Sequence, residues 1–201
     1  MLNLPESTQF DKRLPKQSFY EHMEITPSLK RIFIDEIKNI YWRNKIAAST
    51  MNITQGDLVT EIEIFEIQLS KPLFNEEVLR QIDKAIPYHI LYILTCNNKQ
   101  QAWIGYQNKH YYHTEWMGHL SLRLSGITTD AIYENYVRQI ASSTLDKKTT
   151  LQESVEISEK KKKLQKQIKS LQSKVRKETQ FNRQVELNSQ LKKLMKELEQ
   201  L

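Results

Sequence analysis

Three glutamates, Glu61, Glu63 and Glu66, crowd one apolar stretch of the chain, with Lys71 just downstream. Carboxylates gathered around a divalent ion can drive phosphodiester hydrolysis, so these four residues define one reading, a metal-dependent nuclease. Restriction-type nuclease cores place an acid and a Glu-x-Lys pair on adjacent strands. Here the stretch reads Glu66-Ile67-Gln68, and the upstream acids Asp35 and Glu36 fall in a segment with helical spacing. The competing reading is structural: Glu61 and Glu63 line the solvent face of a half-buried sheet.

The remaining reactive side chains point to packing. His110 and His113 are three apart, which puts them on opposite faces of a strand, and with His119 and Cys96 they do not form the tight cluster that zinc needs. His89 follows Pro87-Tyr88 and reads as a polar anchor at a strand start. Cys96 has no flanking base and no helix N-terminus after it, so it reads as a structural thiol. Four glycines in the whole chain, none in a Walker or Gly-x-Gly-x-x-Gly pattern, leave no phosphate cradle. No metal or cofactor is expected. Lys30-Arg31 and Trp42-Arg43-Asn44-Lys45 mix cations with aromatics, and Trp103, Tyr106, Tyr111, Tyr112 and Trp116 follow. Such a set could stack single-stranded bases, or simply fill the core and rim of a small sheet.

The elements that would position these residues are legible from periodicity. Residues 1–26, punctuated by Pro5 and Pro15, read as an irregular N-terminal arm. Thr26-Pro27-Ser28 starts a helix, and Leu29, Ile32, Phe33, Ile37, Ile40 and Tyr41 extend it to about Asn44. Residues 58–69 are a strand whose alternation changes phase at Phe65, predicting a bulge, a strong twist or burial on both faces. Asn75 caps a helix stopped by Pro87. Strands follow at residues 89–95 and 101–106, joined by Asn97-Asn98-Lys99, and a third lies within residues 110–117. Thr128 or Thr129 caps a helix to about residue 142. The expected class is α+β, a small mainly antiparallel sheet packed with helices over residues 27–145, then a linker at residues 146–150.

Residues 151–201 contain no Pro or Gly and form a basic, coiled-coil-like helical tail. The whole chain carries 30 Lys plus Arg against 24 Asp plus Glu. Residues 158–178 alone hold nine bases and two acids, whereas residues 1–157 net −2. At about 100° per residue, Leu164, Ile168, Leu171 and Val175 make one stripe. Lys162, Lys163, Lys166, Lys169, Lys174, Arg176 and Lys177 lie opposite. Leu187, Leu191, Leu194, Leu198 and Leu201 make a second stripe, rotated by roughly 130°. The phase breaks between Glu178 and Val185, giving either a helical hairpin or one rod with two faces. The stripes are candidate partner-binding surfaces, and the cationic ridge is a candidate sequence-independent phosphate contact.

Several segments together carry a resemblance: Leu14-Pro15-Lys16, Leu29-Lys30-Arg31-Ile32-Phe33, Ile40-Tyr41-Trp42-Arg43-Asn44-Lys45, Glu61-Ile62-Glu63-Ile64-Phe65, Ile82-Asp83-Lys84-Ala85-Ile86-Pro87-Tyr88, His113-Thr114-Glu115-Trp116 and Gln180-Phe181-Asn182-Arg183. Through them the chain resembles the bacterial domain-of-unknown-function family 4391 over nearly its whole length. That family is often encoded beside DNA methyltransferases and helicase-type restriction or phage-defence subunits. The resemblance implies an accessory role in a DNA-directed defence complex and supplies no catalytic residues. The expectation is a non-enzymatic, cytoplasmic assembly subunit that binds protein partners, such as helicase or methyltransferase-type subunits, through its tail, and DNA non-specifically. The rival readings are the Glu61/Glu63/Glu66 nuclease and a coiled-coil protein that forms homo-oligomers. The apolar stretches are too short to span a membrane.

Overall fold

A computed structural model describes residues 2–23, 26–107, 109–142, 144–145 and 149–200. The chain divides into two compact units, residues 1–143 and 144–201. The first is built on a six-stranded sheet whose spatial order follows the chain, β1 (Gln9–Leu14), β2 (Ile37–Ala47), β3 (Glu61–Leu69), β4 (His89–Cys96), β5 (Lys99–Tyr106) and β6 (His110–His113). Every neighbouring pair is antiparallel except β3 and β4, which are parallel. A parallel pair needs a crossover, here α3 (Glu76–Ala85), which Asn75 caps by accepting the Glu77 amide at 2.9 Å.

Helices α1 (Lys16–His22), α2 (Pro27–Asp35) and α3 lie on one face of this sheet. There Phe19, Leu29, Phe33, Val78, Leu79 and Ile82 pack with Phe65, Ile67, Tyr92 and Leu94. Helix α4 (Thr129–Ile140) packs against β5, β3 and β6, and Ile62, Ile64, Leu91 and Ile104 on the strands are fully or nearly fully buried. Burial on both sides explains the change of phase in β3. Ile62 and Ile64 belong to one face, Phe65, Ile67 and Leu69 to the other, and the strand itself continues in regular register with β4.

Two expectations are corrected. The arm expected to be irregular carries regular elements over its described residues: after a 3-10 turn at Glu6–Thr8 it supplies edge strand β1 and helix α1. Phe19 anchors α1 in the core, and the Lys16 ammonium donates to the carbonyls of Phe33 (2.7 Å) and Ile37. The helix expected to reach Asn44 ends at Asp35, and the residues beyond it form β2. The cause is a bulge. Between Ile37 and Asn39 the register with β3 slips by one residue, so Ile37 and Ile40 share a face despite their odd spacing. Three-residue spacing across a β-bulge imitates the helical period.

Two hairpin features complete the sheet. Asn97 and Asn98, both with positive φ (49° and 61°), close the β4–β5 hairpin, which suits a type I′ turn. The N-terminus of α4 holds the loop before β3. Its Asp130 carboxylate accepts the amides of Asp57 (2.9 Å), Val59 (2.7 Å) and Leu58 (3.2 Å). Gly56 is needed there, because a Cβ would lie 2.2 Å from Asp130.

The second unit is helical: α5 (Leu151–Lys177) and α6 (Phe181–Glu199). Thr150 and Glu153 form a reciprocal capping box at the start of α5, which satisfies two otherwise orphan backbone donors. The helices contact one another, and the Gln184 side-chain amide donates to the Val175 carbonyl at 3.3 Å across the connection. The break expected between Glu178 and Val185 falls at residues 178–180. Among the described residues no helix is long and apolar enough to cross a membrane.

Candidate functional site

Strand pleating separates the acidic residues of β3. Glu61 and Glu63 project to the face of the first three helices, Glu66 to the other. Glu66 is 6% exposed. Its carboxylate accepts Arg43 Nε at 2.7 Å, Gln68 Nε2 at 3.1 Å and Thr95 Oγ1 at 3.4 Å. Arg43 also bonds Asp11 at 3.0 Å. Asp11 sits at an irregularity in β1 with a φ of 45°, and Arg43 sits at the second bulge of β2. These contacts make an ion-paired network across β1, β2 and β3. Lys71 is exposed in the turn after β3, beyond the strand end opposite Glu61. Glu61, Glu63, Glu66 and Lys71 therefore do not converge, and no group of three or more His, Cys, Asp or Glu among the described residues could hold a metal ion.

Glu63 departs furthest from the expected solvent-facing strand, being 4% exposed. Its Oε2 is buried and accepts no hydrogen bond from the described residues. Neighbouring Glu61 is satisfied by charge, with Lys45 Nζ in ion-pair contact. Burial pushes the Glu63 carboxyl up to about 7, and the Glu61 carboxylate adds to that rise. The Lys45 ammonium and the Trp42 indole pull the other way and are outweighed. Glu63 lines a cavity of about 310 Å³ with Leu14, Phe19, Trp42, Phe65 and Ile86, and His22 and Tyr88 also border it.

The other sequence candidates are used for packing. His113 stacks on Trp103 with ring centroids 4.3 Å apart, His89 meets Tyr133 edge-on at 4.6 Å, and Cys96 is buried. His119 is exposed and His110 half-buried. Burial lowers the His89 pKa, so neutral imidazole is favoured there. Arg43 and Lys45 are engaged by carboxylates, and Trp103 and Tyr112 are buried. The basic–aromatic set therefore presents no continuous stacking platform.

Periodicity gave no sign of Asp83, on α3. It accepts the Tyr92 hydroxyl at 2.5 Å and the Tyr111 hydroxyl. Burial raises its pKa against those two donors and the charge of Arg80. The only available hint was an acid on the polar side of an amphipathic helix, indistinguishable from a solvent-facing one.

In the helical unit Lys162, Lys163, Lys166, Lys169, Lys174, Arg176 and Lys177 are all exposed. Among the described residues no carboxylate pairs with Lys163, Lys166, Lys169, Lys174, Arg176 or Lys177. Leu164 and Ile168 are buried, Leu171 and Val175 half-buried. Leu187, Leu191, Leu194 and Leu198 of α6 are half-buried as well, and Leu201 lies outside the described residues. The exposed ridge and the partly covered stripes are thus separate features of the same two helices.

No curated protein and no solved structure matches the chain. A family model does, spanning both units over residues 2–198. The chain therefore belongs to the domain of unknown function family DUF4391.

Proposed function

We propose that this protein is a non-enzymatic assembly subunit that holds protein partners through its helical unit and contacts DNA without sequence preference along α5. The setting suggested by the family resemblance is a bacterial DNA-directed defence complex, with helicase or methyltransferase-type subunits as partners. The observation that carries the reading is the row of exposed, carboxylate-free cations on α5 opposite the Leu164–Ile168 stripe. Exposed Lys and Arg without carboxylates are free to replace the counterions of a phosphate backbone.

The stripes support partner binding. We take α5 and α6 to pair as an antiparallel hairpin: in the register set by Gln184 on Val175, Leu191 falls level with Ile168, and Leu187 and Leu194 near Leu171 and Leu164. Such a hairpin covers one side of each leucine row and leaves the other for a partner helix.

The magnitude of the DNA term follows from geometry. Lys163 to Lys177 spans about 21 Å of helix, and these cations spread over roughly 160° of its circumference. About four of them can then meet one duplex, giving a log–log salt slope near −3.6. Fluorescence anisotropy on a labelled duplex should show binding weakening about 150-fold between 50 and 200 mM salt. Replacing Lys166, Lys169 and Lys177 by Glu should abolish it. Unchanged affinity in that variant would remove α5 from the DNA surface, leaving the stripes as the functional feature.

A further inference from the structure

We propose that the cavity beside Glu63 binds a small organic cation, an ammonium or amidinium carried on a compact aromatic or aliphatic body. This site lies within residues 1–143 and does not depend on the helical unit. At about 310 Å³ it is at the lower end of the range for small-molecule sites, which are typically apolar with a few placed polar groups. Leu14, Phe19, Phe65 and Ile86 supply the apolar walls. Glu63 is the one carboxyl among the lining residues, and Ser18, His22 and Tyr88 also border the cavity.

The chemistry narrows the ligand. Lys45, whose charge acts on Glu63, is held by Glu61, so an ionised Glu63 lacks a dedicated counter-charge, and an anion would be repelled. A bare divalent ion needs several oxygen ligands, which this site does not assemble. An organic cation meets both halves of the site. Its charge pairs with the Glu63 carboxylate, and its body lies on the apolar walls. Aromatic faces assist: Lys45 Nζ already lies 5.9 Å from the Tyr88 ring centroid, and Trp42 borders the cavity with Phe10 stacked on it at 4.3 Å. Cations favour such faces.

The ionisable groups around Glu63 are Glu61 on β3, Lys45 on β2, His22 on α1 and Tyr88 after α3. Because burial holds the Glu63 carboxyl near pH 7, cation binding should tighten by about tenfold or more between pH 5.5 and pH 8. A protonated His22 opposes the cation at the acid end, in the same direction.

The test is calorimetric titration of the full chain at pH 8 with 2-phenylethylammonium, the neutral 2-phenylethanol and the anionic 3-phenylpropanoate. The ammonium should bind one-to-one and at least about tenfold tighter than the alcohol, the carboxylate not at all. Glu63→Gln should erase the preference for the ammonium over the alcohol. Ala85→Leu, which fills the cavity while retaining Glu63, should abolish binding of both without lowering the Tm. Absence of ammonium binding to the unmodified chain, equal binding of ammonium and alcohol, or a preference that survives Glu63→Gln would each overturn the proposal. Should Glu63→Gln not fold, Ala85→Leu decides: undiminished binding there overturns the proposal.

Discussion

Replacing Glu63 by Gln should make the sheet domain more stable above neutral pH and leave it nearly unchanged in acid. The carboxyl is 4% exposed and has an orphan oxygen, and burial raises its pKa from 4.5 to about 7. Between those values the unfolded chain has released its proton while the folded chain still holds it. Stability therefore falls as pH rises through that window, by about 1.4 kcal/mol per unit at the steepest. It is fully present below pH 4.5 and lost above pH 7. The whole shift corresponds to about 3 kcal/mol. Solvent screening through the adjoining cavity reduces the expected effect to about 2 kcal/mol. Gln cannot ionise, so its stability curve lacks this component. The assay is urea unfolding at pH 4.5, 5.5, 6.5, 7.5 and 8.5, read by tryptophan fluorescence. Trp42, Trp103 and Trp116 all lie in the first unit, so the signal reports that unit alone. The informative quantity is variant minus wild type, in which every other titrating group cancels. It should climb by about 2 kcal/mol across the series and level off. A difference that is flat, or that falls with pH, would refute the account of Glu63 as a desolvated carboxyl.

Three further substitutions test the packing around the sites. Arg43→Ala strips the charge partner from Glu66, whose side chain is 7% exposed, and should cost about 3 kcal/mol in urea unfolding; a loss below about 1 kcal/mol would mean that Gln68 and Thr95 suffice. Asp130→Ala leaves the amides of Asp57, Leu58 and Val59 without their acceptor. It should lower stability by about 2 kcal/mol and speed amide exchange at those three positions first, so slow exchange there in the variant would contradict the clamp. Tyr136→Phe removes a buried hydroxyl with no hydrogen-bond partner among the described residues and should stabilise by about 1 kcal/mol; destabilisation would reveal a partner for that oxygen.

Local chemistry made much of this protein readable before any coordinates. Asn75 and the pair Thr128-Thr129 announced their helices because a side-chain oxygen beside the first turn satisfies orphan amides wherever it occurs, and the structure puts the second cap at Thr128. Both caps are present. The phase of the leucines located a change in the tail between Glu178 and Val185 but left a hairpin and one rod with two faces both open, and the helices in fact break at residues 178–180. The cationic ridge was equally visible, because helical periodicity alone sorts charge from leucine.

Other features needed the fold. Ile37 and Ile40 read as helix because a bulge places residues three apart on one face of a strand, and a bulge is fixed by the partner strand. Edge strand β1 carries almost no apolar pattern, since most of its residues are exposed, and only pairing with β2 defines it. Glu61, Glu63 and Glu66 looked like one acidic cluster. Pleating divided them between two faces, and the three helices on one face decided which carboxyl lost water. Sequence determined that β3 carries those acids. The tertiary structure made one of them an ion-pair partner of Arg43 and another a buried, unsatisfied carboxyl, because desolvation depends on what packs over a residue and not on the residues beside it in the chain.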